Sequence, residues 1–267
     1  MVVIPVAFGE SGTVTSTASE GTVIDHYAES AEFIDLLISP FWKEFGPVLA
    51  GAVETTGPGS GVVVDIGAGS GCGTVVIGNA LPGAEIHAVE PSAGLRSVLL
   101  ARINSDESLR GRVTVLPEDF LRARLPDRWD LVVAMNVIGH FSAAERKEVW
   151  RLLSQRLAPQ GRAVLNLQPP AEPVAVPESL AATAHLGRRR YEGWARAEPA
   201  GHDALTWHMT YRTHHDDDLV DERTVAFHWN LVTESRMRDE LADAGLELRT
   251  LPPAEFGAYV ITRKSRG

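Results

Sequence analysis

The sequence predicts an α/β fold with a doubly wound, largely parallel sheet, and three observations carry that prediction. Short apolar runs alternate with stretches of helical period between residues 61 and 168, the rhythm of strand–helix–strand units. The first run ends in an acid and leads into a glycine-rich turn, VVVDIGAGSGCGT at 62–74. After a last helix the chain closes with two further apolar runs, ELRTLP and GAYVITRK, which read as strands.

The elements follow in order. Residues 1–20 are rich in Ser, Thr and Gly and read as a loosely docked tail. From Thr22 to about Val53 the residues Phe33, Leu36, Leu37, Phe41, Phe45 and Leu49 recur at three- and four-residue steps. This gives a helical N-terminal cap over 1–60, which Pro40 is expected to divide into two helices. TTGPGSG at 55–61 is a linker. Within the core, 61–168, strands are expected at 62–66, 84–90, 112–116 and 129–137, with a further one in GRAVLNLQ. A helix begins at Cys72 and ends before Pro82, and SAGLRSVLLARI forms the next. The helix SAAERKEVWRLLSQRLA opens on a capping box, Ser142 with Glu145 three positions on.

The rhythm breaks at 169–232, which reads as an inserted cap. Its Pro- and Ala-rich first half predicts a helix around 178–196. LTWHMTYRTHH and ERTVAFHWNLV then alternate as an antiparallel hairpin around DDDLVD. Residues 233–267 return to the core with the helix TESRMRDELADAG, closed by Gly245, and the two terminal strands.

Composition narrows the function. The 267 residues are 44% hydrophobic and 22% charged, enough for one good core. A formal net charge of -10 opposes nucleic acid as a partner. Cys72 is the one cysteine, so no intrachain disulfide forms. No run reaches the roughly 20 apolar residues of a membrane span, and the N-terminus lacks a basic leader. The expectation is a cytoplasmic protein with no membrane partner. A homodimer stays open.

The glycine turn limits the cofactor. A dinucleotide fingerprint needs G-x-G-x-x-G. Its third glycine would fall on Cys72, Thr74 or Val76 in the three registers, so it fails in all. What stands there is D-x-G-x-G-x-G, with Asp65 ending the strand. A carboxylate at that place repels a pyrophosphate and suits a ligand carrying an ammonium group.

With these residues the sequence resembles the class I S-adenosylmethionine (SAM)-dependent methyltransferases. DIGAGSG is similar to their first motif. The resemblance implies a Rossmann-like seven-stranded sheet and SAM as cofactor. It implies that Asp65, Gly67, Ala68, Gly69 and Gly71 serve the amino-acid and ribose part. Glu90 and Pro91 in AVEPS resemble the family's ribose-binding acid and its neighbour, since a carboxylate can take both hydroxyls. Asp119 and Phe120 in LPEDF resemble the adenine contacts. Asn136 in MNVIGHF resembles the strand end beside the methionine moiety. A domain that keeps Asp65 and Glu90 only as strand caps is the bland alternative.

The acceptor is less constrained. The stretch after the fourth strand is MNVIGH, not the Asn-Pro-Pro-Tyr of amide- and adenine-directed relatives. It offers no carboxylate for a catalytic metal, so none is expected. What remains resembles the branch that acts on small molecules, including amino-sugar N-methyltransferases and natural-product tailoring enzymes. IDHYAESAEF is similar to that branch's N-terminal segment, whose tyrosine folds over the active site. Tyr27 is therefore a candidate to line the acceptor through its hydroxyl, with plain packing on a cap helix as its alternative. The adjacent His26 is a further acceptor candidate, although on a helix it points elsewhere. His140 is the candidate base or orienting residue, because an imidazole titrates near neutrality. Capping the following helix is its alternative role. On the hairpin, Trp207, Met209 and Tyr211 alternate on one side with Phe227 and Trp229, and His208 and His228 lie on the other. Trp207, Tyr211, His208 and His228 are candidate acceptor contacts, with plain core packing as the alternative for the aromatic face. HHDDD at 214–218 reads as a solvated turn and the basic GRRRYEGW as a solvated helix face. The expected function is methyl transfer to N or O of a small molecule in secondary metabolism. The alternatives are transfer to carbon, or a SAM-binding protein that does not methylate.

Overall fold

The computed structural model describes residues 25, 27–54 and 61–264. The tail at 1–20, His26 and most of the 55–61 linker therefore lie outside the described residues. A turn at 27–30 leads into α1 (Ala31–Glu54), one continuous helix with Pro40 and Pro47 inside it. The expected division at Pro40 does not occur. Each proline removes one helix hydrogen bond. The apolar stripe on either side is buried along the whole length, from Phe33 to Val53, and that burial outweighs the local cost.

The core alternates as its sequence rhythm requires. In chain order it holds β1 (Val62–Ile66), α2 (Cys72–Ala80), β2 (Glu85–Val89), α3 (Ala93–Ser105), the single turn α4 (Glu107–Arg110), β3 (Val113–Leu116) and β4 (Trp129–Ala134). A 3-10 turn at Ile138–His140 follows, then α5 (Ala143–Arg156) and β5 (Leu157–Asn166). The capping box forms: Glu145 N donates to Ser142 Oγ at 3.3 Å, and Ser142 N donates to Glu145 Oε2 at 2.8 Å.

Residues 178–196 are not helical. They belong to β6 (Val176–Leu186) and β7 (Arg189–Pro199), which turn back on each other through Gly187 at φ 56°. With β8 (Ala204–His215) and β9 (Asp218–Asn230) they make a separate four-stranded antiparallel sheet in the order β6-β7-β8-β9. The expected hairpin is its β8–β9 half, with Trp207 opposite Phe227 and Leu205 opposite Trp229. GRRRYEGW is accordingly turn and strand, and Arg188 and Arg190 pair with Asp216 and Glu192. The chain returns through α6 (Glu234–Asp243) to β10 (Leu246–Thr250) and β11 (Ala258–Arg263).

The main sheet runs β10-β11-β5-β4-β1-β2-β3, with β11 antiparallel to β5 and β10 antiparallel to β11. Strand order reverses between β1 and β4, the place where open α/β sheets bind ligands at the carboxyl ends of their strands. α1 joins the two sheets. Phe41, Phe45 and Leu49 pack with Val63, Ile77 and Ile86 of the core. Phe33, Ile34 and Leu37 pack with Trp207, Met209 and Tyr211 of the second sheet. No helix among the described residues is long and apolar enough to cross a membrane.

Candidate active site

The glycine turn after β1 is built from left-handed residues. Gly67, Gly69 and Gly71 have φ of 66°, 58° and 88°, a region that side chains disfavour. Space adds a second constraint. A Cβ on Gly67 would stand 2.4 Å from Val137 Cγ1, and one on Gly71 2.5 Å from Leu99 Cδ1. A Cβ on Gly69 would meet no neighbour nearer than 4.0 Å, so there the loop leaves an open cradle against its own backbone.

Two cavities meet at Gly67 and Val137. The narrow one, about 40 Å³, holds Gly67, Ala68, Gly69, Glu90 and Asn136, and is roofed by Tyr27, Ile34, Ile38 and Trp42. The wide one, about 440 Å³, runs past Pro91, Asp119 and Phe120 to His140, His228 and Asn230. The structure thus brings most of the residues selected for the cofactor, together with Tyr27 and both of these histidines, to one end of the sheet. Asp65 and Gly71 line neither of these two cavities. Asp65 is buried and accepts from Thr74 Oγ1 at 2.6 Å, and Gly71 caps α2. Trp207 and Tyr211 are buried beneath α1, where Tyr211 stacks on Phe33 with centroids 4.9 Å apart. His208 is half-buried on the opposite face of β8 and is likewise absent from the lining of both cavities.

Burial dominates the electrostatics. It pushes the Asp65 carboxyl up to about 6, against the Thr74 hydrogen bond. Glu90 is pushed up to about 7 by burial, although Ser92 N and Gly69 N donate to its two oxygens at 2.8 and 2.7 Å. Each oxygen keeps a lone pair for a hydroxyl. The Tyr27 phenol is pushed well above its ordinary value, first by burial and then by Glu90, Tyr211 and Asp25. It therefore stays protonated, a hydroxyl that donates and no phenolate base.

Several contributors were not foreseen. Asn166, at the end of β5, pairs with Asn136 through two hydrogen bonds of 2.6 and 2.7 Å. Trp229 and Asn230, at the end of β9, clamp the 3-10 turn that carries His140. Asp25 accepts from Tyr27 N and Ala93 N, tying the entry of α1 to the start of α3. Arg102 binds Asp35 of α1 with two hydrogen bonds and also donates to Ser70 O of the glycine turn.

These features fit SAM. An open glycine cradle, a half-satisfied carboxylate at the end of β2 and Asp119 beyond the end of β3 give acceptors and space for an amino acid, a ribose and an adenine. Residues 64–163 match the family model of a methyltransferase domain. Residues 64–163, the core of this chain, are a methyltransferase domain. No curated protein sequence matches the chain. Among solved structures the methyltransferase is similar to DesVI of Streptomyces venezuelae, at 16% identity over 91% of this chain and 100% of that one, with TM-score 0.71. It is similar to the sugar N-methyltransferase KedS8 of Streptoalloteichus sp. at 16% identity, over 96% and 100%, with TM-score 0.67. The CcbJ methyltransferase of Streptomyces caelestis follows at 17%, over 86% and 97%, with TM-score 0.66. At these identities the likeness is one of fold.

Proposed function

We propose that this methyltransferase methylates nitrogen or oxygen of a small molecule, in the biosynthesis of a natural product. The observation that carries the reading is the wide cavity. It begins at Asp119 and Phe120 and ends at two imidazoles, His140 and His228, beneath the second sheet. A cavity of about 440 Å³ has the volume of a drug-sized ligand. The name of one similar structure, a sugar N-methyltransferase, supports the same class.

When bound, the cofactor supplies a methyl group on a cationic sulfur. The chain's residues do the rest. Glu90 takes the ribose hydroxyls, Asp119 and the Phe120 backbone take the adenine, and the glycine turn takes the amino-acid part. His140 receives the acceptor's proton, or holds an acceptor that is already neutral. Tyr27 donates its hydroxyl within the narrow cavity. Aligning the acceptor and excluding water supply most of the rate in such a displacement.

The test is a mass shift of one methyl group on an amino-sugar or phenolic acceptor panel incubated with SAM. With a working acceptor, His140→Gln lowers kcat by about 10²–10⁴-fold if the imidazole moves the proton. An unchanged kcat removes His140 from that role. SAM bound with no acceptor methylated across the panel would count against the small-molecule reading.

A further inference from the structure

We propose that Asn166 is a positioning residue that fixes Asn136 as a hydrogen-bond donor toward the methionyl carboxylate of SAM. The inference rests on the cofactor reading above and assigns a polarity to one wall of that site.

The geometry leaves one arrangement. β4 and β5 are parallel neighbours with Ala134 opposite Leu165, so residues 136 and 166 emerge side by side at the carboxyl ends. Asn136 N lies 2.6 Å from a terminal atom of Asn166. A backbone N–H only donates, so that atom is Oδ1. The other terminal atom of Asn166 is then Nδ2, which only donates. It lies 2.7 Å from a terminal atom of Asn136, which must be Oδ1. Turning either carboxamide over would set donor against donor. The half of Asn136 left for the cavity is its Nδ2.

Burial and strain show that the pair is fixed. Asn136 and Asn166 are 4% and 2% exposed. Asn136 holds φ at 59°, left-handed for a residue with a side chain, and the bond from its N–H to Asn166 supports that conformation. Among the described residues, the lining of the narrow cavity that holds Asn136 has no Lys or Arg, and its carboxylate is Glu90. A carboxylate of the ligand is therefore met by neutral donors, and Asn136 Nδ2 is the side-chain amide among them. An ammonium placed there would find a donor facing it.

The test uses calorimetric binding, not turnover. Wild type and Asn166→Asp are titrated at pH 8 with SAM and with 5′-methylthioadenosine, which lacks the amino-acid part. The ionised carboxylate introduced by the substitution still accepts from Asn136 N, but its second oxygen cannot donate. Asn136 must then turn Nδ2 toward it and present Oδ1 to the cavity. The expected result is a SAM Kd raised tenfold or more, with the methylthioadenosine Kd within twofold of wild type. Equal weakening of both ligands would mean that Asn166 only supports the fold, and unchanged SAM binding would also overturn the proposal. Decarboxylated SAM on the wild type gives a second arm that needs no variant. It should bind at least tenfold more weakly than SAM, and equal affinity overturns the proposal. A wild type that binds neither SAM nor methylthioadenosine would overturn the cofactor reading itself, and this proposal with it.

Discussion

The His140 imidazole and the Trp229 indole meet in a T-shaped contact, with centroids 4.6 Å apart and planes at 82°. The contact joins the turn after β4 to the last residues of β9. Beside it, Asn230 Nδ2 donates to Gly139 O at 3.1 Å. A Cβ on Gly139 would lie 2.0 Å from the Trp229 ring, so the indole can seat only over a glycine. The second sheet therefore sets where the imidazole stands. Gly139→Ala is expected to destabilise by about 1–3 kcal/mol through overpacking. Adding Trp229→Leu should recover part of that loss, because the two changes share one contact. Urea melts of the two single variants and the double variant measure it, and strict additivity would contradict the contact.

Glu90 predicts a pH dependence. Its carboxyl titrates in the fold near 7, above its ordinary 4.5, chiefly because it is buried. The folded state then holds the proton more tightly than the unfolded chain. This group favours folding as pH falls through 7 toward 4.5, and opposes it above 7. Relative to wild type, Glu90→Gln should gain up to about 3 kcal/mol between pH 4.5 and pH 8, on top of a pH-independent cost, because its amide nitrogen faces one of the two backbone donors. Ribose hydroxyls donate to the charged form, so SAM affinity of the wild type should tighten between pH 6 and 8. Denaturation midpoints at pH 5 and 8 test the first statement. A constant offset would refute it.

Arg146 is 2% exposed, binds Glu240 at 3.0 and 2.7 Å, and donates to Phe141 O at 3.0 Å. Trp150 Nε1 adds a fourth hydrogen bond, to Glu240. Burial opposes ionisation of Glu240, but Arg146 and Trp150 hold its carboxyl below the usual range. The network joins α5 to α6 and pins the residue after His140. Arg146→Met leaves Glu240 without its ion-pair partner, with the Trp150 hydrogen bond alone to hold it, and is expected to cost about 3–5 kcal/mol. Arg146→Met with Glu240→Leu should regain most of it. A double variant as unstable as the single one would show that the arginine stem, not the ion pair, matters.

The core was legible because its signals are local. VVVDIGAGSG carries strand, acid and turn in one short run, and the Glu90 and Asp119 positions follow at strand ends. The insert was misread for a physical reason. Residues 178–197 are rich in alanine, a helix former, but Ala182, Ala184, Ala195 and Ala197 are small because they pack in the cluster of Trp207 and Tyr211 beneath α1. Pairing across Gly187 overrides local propensity there. Pro40 misled in the same way, since the stripe that holds α1 together is buried against two sheets. Asn166 and Trp229 carry no local mark. Their roles depend on β4 lying beside β5 and on β9 reaching the turn at 138–140, relations between residues 30 and 89 positions apart.

The central claim is that this glycine turn and Glu90 bind SAM. Calorimetric titration of the purified protein with SAM, on wild type and on Glu90→Ala, tests it most directly. The account predicts binding in the micromolar range that weakens at least tenfold in the variant, with NADH giving no heat in either. Absence of SAM binding by the wild type, or equal affinity in the two proteins, would contradict it.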